Sequence, residues 1–196
     1  MTADTDSFDV LKRIWYELYY AQQSWGIMAA ISQCADIINR TKPFHYHFFG
    51  MSQLNAQNDA VIRLCKVYDA DERSASFLNL EKKLSLNEAI NKKIYEIKNG
   101  DSFDLIKNFR NKRVAHYDFN IDQELAERLK ALPSYEDFQK LIKESLKICE
   151  DIYKLCFHQI NPGLPIIGHC GRLLSIGTIC DLYGIDGSEM DSLFKF

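Results

Sequence analysis

The chain has 196 residues, of which 46% are hydrophobic and 26% charged, which is typical of a folded domain rather than a disordered one. Its 9 glycines and 4 prolines are too few for the many turns of a barrel or sandwich, so the composition predicts an all-α fold. The formal net charge of −3 excludes a uniformly basic nucleic-acid-binding surface but is compatible with a local basic patch. We expect one helical domain over residues 1–196, in which residues 161–196 form short helices packed on the main bundle.

Three features of the sequence predict a cytoplasmic protein. The N-terminus lacks the basic and apolar regions of a secretory signal. No stretch approaches the roughly 20 apolar residues of a membrane span, so we expect no membrane contact. The six cysteines form no C-x-x-C pair, a distribution typical of buried thiols in a reducing compartment.

Apolar residues at helical spacing divide the chain into about five main helices. The first is predicted from Phe8 to Ile38. A connection bracketed by Pro43 and Gly50 leads to a second helix that ends near Tyr68. Both helices carry apolar residues for most of their length, so we expect them at the centre of a bundle.

The second half of the chain continues the helical pattern. Ser85 and Glu88 have the spacing of a capping box, and Gly100 is expected to end the helix that they begin. The next helix, capped by Asp101 or Ser102, carries three apolar residues at helical spacing: Phe103, Ile106 and Phe109. We predict a short helix over 122–132 and a last long helix from Pro133 to about Pro162.

Several kinds of catalytic or cofactor site are not expected. The sequence contains no glycine-rich phosphate-binding loop and no G-x-S-x-G nucleophile motif. His45 and His47, and the pair His169–Cys170, lack the paired spacing of common zinc sites. We therefore predict neither a metal nor another cofactor.

One short segment concentrates positive charge. Lys107, Arg110, Lys112 and Arg113 place four cations within seven residues, and His116 follows them. Histidine is the side chain best suited to proton transfer near neutral pH. Taken alone, however, this pattern also fits a solvated basic face of a helix that ends near a histidine.

Arg110-Asn111-(four residues)-His116 fits the R-x(4–6)-H signature, and the segment resembles the HEPN superfamily, most closely its AbiU-type abortive-infection group. Residues 60–69, followed by an Arg–Ser loop, are also similar to that group, and the resemblance covers Leu54 to Asp118. It implies a small all-helical bundle of about five main helices. It also implies a metal-independent endoribonuclease of a phage-defence or toxin system.

The resemblance also implies roles for individual residues. His116 would act as general base on the ribose 2′-OH or as acid on the leaving 5′-oxygen, and Arg110 would stabilise the charge on the phosphorane. Asn111 would orient the histidine or bond the phosphate, with Asp118 as a second supporting residue. Three further cations are candidates for RNA-backbone binding, or are simply solvated: Lys107, Lys112 and Arg113.

Control by tyrosine adenylylation is not implied for this chain. Some HEPN toxins carry a tyrosine two residues after the histidine, and a partner nucleotidyltransferase modifies it. Asp118 occupies that position here, and Tyr117 follows the histidine directly.

Helix geometry constrains how Arg110 and His116 work together. Six residues of α-helix turn through about 600°, so the two side chains would lie about 120° apart around the axis and about 9 Å apart along it. Either the helix ends or distorts before His116, or two subunits contribute to one cleft. The resemblance favours the second arrangement, so we expect a homodimer whose interface includes this helix.

The predicted partners are an RNA substrate, a second copy of the chain, and an antitoxin or other defence protein. Two alternatives remain open at this stage. The chain is either a non-catalytic HEPN-like bundle that serves dimerisation or nucleotide sensing for another defence protein, or an unrelated helical adaptor in which Arg110 forms a structural ion pair.

Overall fold

The computed structural model describes residues 5–40, 43–114 and 134–158, together with Ile176, Thr178 and Ile179. The regular elements in these ranges are all helices, which confirms the predicted all-α class. In chain order they are α1 (Thr5–Gln33), α2 (Ala35–Asn39), α3 (Pro43–Lys66), α4 (Phe77–Lys83), α5 (Glu88–Lys98), α6 (Asp101–Val114) and α7 (Tyr135–Cys156).

The chain divides into two compact units. The first contains Met1–Tyr19 and Val61–Pro165, and the second contains Tyr20–Ala60 and Ile166–Phe196. Helices α1 and α3 each contribute residues to both units. The single domain with an appendage over residues 161–196 stays a prediction.

The first unit is built around α5, α6 and α7, which pack against one another. The rings of Phe8 and Phe157, 5.3 Å apart between centroids, bring the start of α1 to the end of α7. Its core includes these fully buried side chains: Leu11, Ile14, Leu18, Leu64, Phe77, Leu80, Ile94, Ile106, Phe138 and Ile142.

In the second unit, residues of α1 and α3 run antiparallel. Ser24 Oγ donates to Asp59 Oδ2 at 2.6 Å, and Gln53 Nε2 donates to Ser32 Oγ at 2.7 Å. A separate hydrophobic cluster stabilises this unit and consists of Ala30, Ile31, Cys34, Ile38, Ile176 and Ile179. The three described residues near the C-terminus are helical, as the sequence predicts for that part of the chain.

Two predicted boundaries in the first half of the chain are wrong. The first helix is interrupted at Cys34, whose ψ of 12° turns the chain before α2 begins. The segment from Pro43 to Gly50 is helical rather than a connection. Proline is favourable at the first helical position, where its missing N–H has no partner to lose, and one glycine inside a helix costs only about 1 kcal/mol.

The caps of the later helices also differ from the prediction. Asn87, not Ser85, caps α5, since its Oδ1 accepts from the Ile90 amide at 2.9 Å. Helix α4 was not predicted and is capped by Ser76. The last long helix ends at Cys156, with Phe157 as its C-cap, before the predicted Pro162. The short helix predicted over 122–132 lies outside the described residues.

Asn99 and Gly100 join α5 to α6. The Gly100 amide donates to the Ile97 carbonyl at 3.2 Å, and its own carbonyl accepts from the Phe103 and Asp104 amides. A Cβ at this position would lie 3.1 Å from the Glu96 carbonyl oxygen. Gly100 therefore ends α5 as predicted, while α6 begins at Asp101, one residue earlier than a cap at Asp101 requires and two earlier than a cap at Ser102 requires.

Candidate functional site

Helix α6 carries opposite charges at its two ends. Asp101 and Asp104 lie in the first turn, whereas the four cations of the candidate motif lie between residues 107 and 113. Acids near the N-terminus and bases near the C-terminus both complement the helix dipole. The dipole alone therefore accounts for the overall charge pattern, but not for the environment of each cation.

Arg110 differs from its basic neighbours in its position on the helix. It follows Phe103 and Ile106 at the i, i+3, i+7 spacing of one helical stripe, and both of those side chains are buried. Arg110 is half-buried, while Lys107 and Asn111 are exposed. The arginine thus extends the buried stripe of α6 and is less exposed than Lys107 and Asn111.

The guanidinium of Arg110 is held by its neighbour. Its Nε and Nη2 groups donate to Asn111 Oδ1 at 3.1 and 3.0 Å. A guanidinium has five N–H donors in a planar fork, so three remain for another ligand. Asn111 thus orients the arginine, a role that differs from the two predicted for it, which stay predictions.

Charge on Arg110 and Lys107 is not neutralised within the described part of the chain. None of the ion pairs between described residues includes the side chain of Arg110 or of Lys107. A purely structural arginine would be expected to face a carboxylate there. The alternative in which Arg110 is a structural ion-pair partner stays a hypothesis.

The end of α3 lies alongside α6 in the antiparallel sense. The rings of Tyr68 and Phe103 are 5.0 Å apart. Cys65 lies about one turn earlier, in α3, and is close enough to Arg110 and Lys107 to interact electrostatically with both. Burial raises the pKa of the Cys65 thiol to about 11, while the two cations partly oppose this shift. The thiol is therefore neutral at physiological pH.

Tyr68 anchors this arrangement to α7. Its hydroxyl is 2.7 Å from Ser145 Oγ, and Ser145 donates to the Leu141 carbonyl at 2.7 Å, so Tyr68 is the donor to the serine. Burial raises the pKa of Tyr68 far above its ordinary value. From the sequence, Tyr68 is predicted only as the end of the second helix, and Ser145 is not singled out; the available signal was a serine among the apolar residues of the last helix.

The remaining candidate residues lie partly or wholly outside the described residues. Lys112 and Arg113 are part of α6, but only their main chain is described. His116 and Asp118 follow the last described residue of α6. Their roles, and that of Arg110 in catalysis, stay predictions.

A different groove, of about 510 Å³, lies at the opposite end of α6, where Gly100 and Phe103 line it together with residues of α5 and α7. Four acids and three lysines also line it: Glu96, Asp101, Asp137, Glu144, Lys93, Lys140 and Lys147. The excess of acids makes this groove a poor site for a polyanion. The Arg110 end of α6 is therefore the better candidate.

The sequence predicts neither a bound metal ion nor contact with a membrane. Within the described ranges, no three His, Cys, Asp or Glu side chains are grouped closely enough to hold a metal ion. His45 and His47 lie exposed near the start of α3. None of the helices described above is both long and apolar enough to cross a membrane.

An all-helical fold combined with an R-N-x(4)-H motif that begins on one of its helices is typical of the HEPN class. The family model HEPN_AbiU2, described as AbiU2, matches residues 38–169, about two thirds of the chain. The chain therefore belongs to the AbiU2 family of HEPN proteins, which confirms the resemblance inferred from its sequence. Searches of curated proteins and of solved structures gave no match.

Proposed function

We propose that the protein is a metal-independent endoribonuclease of a bacterial phage-defence or toxin system and acts as a homodimer in the cytoplasm. Membership of the AbiU2 family supports a role related to abortive infection. The substrate is RNA, and an antitoxin or another defence protein controls the activity. No cofactor takes part.

The observation that carries this proposal is the state of Arg110. It is half-buried on the core stripe of α6, its fork is oriented by Asn111, and the ion pairs among described residues leave its charge unneutralised. An oriented guanidinium with spare donors fits a phosphate better than a single-point lysine does. A bundle that serves only for dimerisation has no need of this arrangement.

In the proposed mechanism, His116 takes the proton from the ribose 2′-OH or gives one to the leaving 5′-oxygen. The 2′-oxygen attacks the adjacent phosphorus, and the bond to the 5′-oxygen breaks. Arg110 stabilises the negative charge that develops on the phosphorane. The products are a 2′,3′-cyclic phosphate and a 5′-hydroxyl, and the two copies of the Arg110–His116 pair line one groove.

This proposal predicts the chemical requirements of cleavage. Purified protein is expected to cut RNA equally well with and without excess EDTA, because neither residue works through a metal. DNA of the same sequence lacks the 2′-hydroxyl nucleophile and is expected to remain intact. Gel analysis with end-group labelling checks both points, and a cleavage activity that EDTA abolishes contradicts the proposal.

A further inference from the structure

The groove at the Gly100 end of α6 is formed by three helices of the first unit. Its lining includes Ile97 of α5, Phe103 of α6 and Leu141 of α7. The volume of about 510 Å³ lies within the roughly 300–1,000 Å³ range of clefts that bind ligands. The acids that make this groove unsuitable for RNA make it suitable for a ligand of the opposite charge.

One face of α7 alternates acids and apolar residues along the groove. Four of its lining residues have the i, i+4, i+7, i+11 spacing of a single helical stripe: Asp137, Leu141, Glu144 and Ile148. Both acids are exposed, whereas Leu141 and Ile148 are buried at the base of the groove. Seven residues of helix rise about 10 Å, so the two acids are about two turns apart with an apolar side chain between them.

Two of the three lysines that line the groove are paired with acids outside its lining. Lys93 Nζ lies 3.1 Å from Asp151 Oδ2. Lys147 Nζ lies 3.1 Å from Glu150 Oε2 and 3.7 Å from Asp151 Oδ1. Because neither of these acids lines the groove, the two lysines are already neutralised by charges other than those of the lining acids.

Most of the acids that line the groove have no such partner. Glu96 Oε1 lies 3.8 Å from Lys92 Nζ, which is outside the lining. Three other lining acids belong to none of the ion pairs between described residues: Asp101, Asp137 and Glu144. Lys140 is the one lining lysine that is also outside those pairs. Three carboxylates against one ammonium give this groove a net negative charge.

We propose that this groove docks a basic amphipathic helix of a partner protein. Cations of that helix at i and i+7 lie beside Asp137 and Glu144, and its apolar side chains at i+4 and i+11 pack against Leu141 and Ile148. An amphipathic helix that lays its apolar face in a groove is a common mode of protein recognition. This inference goes beyond the proposed function and does not depend on RNA cleavage.

The test measures binding of synthetic peptides to the full-length protein by fluorescence anisotropy. The probe is an alanine-based peptide of about 16 residues, because shorter peptides are marginal helices in water. It carries lysines at i and i+7 and leucines at i+4 and i+11, and micromolar binding is expected. Replacing its lysines with glutamates should abolish binding. Replacing its leucines with glutamines should weaken binding by about tenfold or more, since the apolar contacts are lost.

Two variants of the groove have matched controls on the same helices. Glu144→Lys is expected to weaken binding by at least about tenfold, because it places like charges side by side. Glu136→Lys changes the net charge equally at an exposed position of α7 outside the lining and should have little effect. Ser102→Trp places a bulky side chain in the groove and should block the peptide, whereas Asn108→Trp on the exposed side of α6 should not.

Two other occupants of the groove give different results. A linear polyamine such as spermidine needs the carboxylates but has no side chains to pack on the apolar base. Equal binding of the leucine and glutamine peptides therefore assigns the groove to polycations in general and contradicts the proposal. Light scattering tests the remaining occupant, since a dimer that Glu144→Lys converts to a monomer assigns the groove to a second copy of the chain.

The inference is also wrong if the wild type does not bind the lysine–leucine peptide, or if Glu136→Lys weakens binding as much as Glu144→Lys does. Melting temperatures of all variants are measured alongside, so that loss of folding is recognised. The result is independent of the nuclease proposal. Peptide binding by a protein that cuts no RNA supports the docking groove and contradicts the enzyme, whereas cleavage without peptide binding does the reverse.

Discussion

Arg110 occupies a helical position that spacing alone assigns to the core. In the sequence it is one of four cations in a basic segment, a pattern that also fits a solvated face of a helix. The spacing from Phe103 and Ile106 already contained the information that separates it from Lys107. The bond to Asn111 was not foreseeable, because adjacent residues on a helix do not normally face each other.

Cys65 is the residue whose environment the sequence described least well. Any apolar stripe with a cysteine predicts burial, and Cys65 is buried. Its neighbours on α6, however, come from a part of the chain about 40 residues away. Helical periodicity does not report such contacts between helices, so the proximity of this thiol to Arg110 required the structure.

The raised pKa of Cys65 makes stability depend on alkaline pH. An unfolded thiol loses its proton near pH 9.0, whereas the folded thiol keeps it until about pH 11. Its contribution is therefore complete below pH 9 and is lost as the pH rises through 11, by roughly 2–3 kcal/mol in total. Urea unfolding at pH 7.5 and 10.5 is expected to show a larger loss for the wild type than for Cys65→Ala. Equal losses contradict this assignment.

At the scale of elements, periodicity identified the helices better than their ends. The stripe predicted for the last helix is buried at Phe138, Leu141, Ile142, Cys149 and Ile152. The predicted helix boundaries are wrong where a residue type is common both in a helix terminus and in a loop. Pro43 starts α3 instead of opening a connection, and Asn87 caps α5 in place of the serine two residues earlier. Choosing between such candidates depends on tertiary packing.

The loop between α3 and α4 is held by hydrogen bonds that its polar composition does not predict. Asn79 is buried, and its Nδ2 donates to the carbonyls of Asp71 and Ser74 at 2.7 and 2.8 Å. Asp69 and Asp71 add turn bonds to the amides two residues further on. A polar segment that reads as a solvated loop is thus tied to the start of α4.

Asn79→Asp is expected to destabilise the first unit. The change replaces an amide that donates to two carbonyls with a carboxylate that repels them, so the free energy of unfolding should fall by about 1–3 kcal/mol or more, the cost of leaving such groups unpaired. Urea denaturation measures the change. Asn55 is exposed on α3 and provides the matched control, since Asn55→Asp should cost little. Similar losses for both variants contradict the role given to Asn79.

At the scale of the molecule, the motif geometry predicts a homodimer whose interface includes α6. Arg110 lies on the core stripe of α6, and an ideal helix continued to His116 would point the histidine about 120° away. In a dimer, the second copy of the chain supplies its own Arg110 and His116 to the same groove. Light scattering is expected to give twice the monomer mass at micromolar concentration, and a purely monomeric protein contradicts the composite groove.

The central claim is that Arg110 and His116 together cleave RNA. Its most direct test is the single-turnover cleavage rate of the wild type, Arg110→Ala and His116→Ala on one RNA, with melting temperatures measured on the same samples. The account predicts a loss of about 10²–10⁴-fold for His116→Ala and of about 10²–10³-fold for Arg110→Ala. Both variants should keep the wild-type melting temperature within a few degrees. Undiminished cleavage by either variant would contradict the claim.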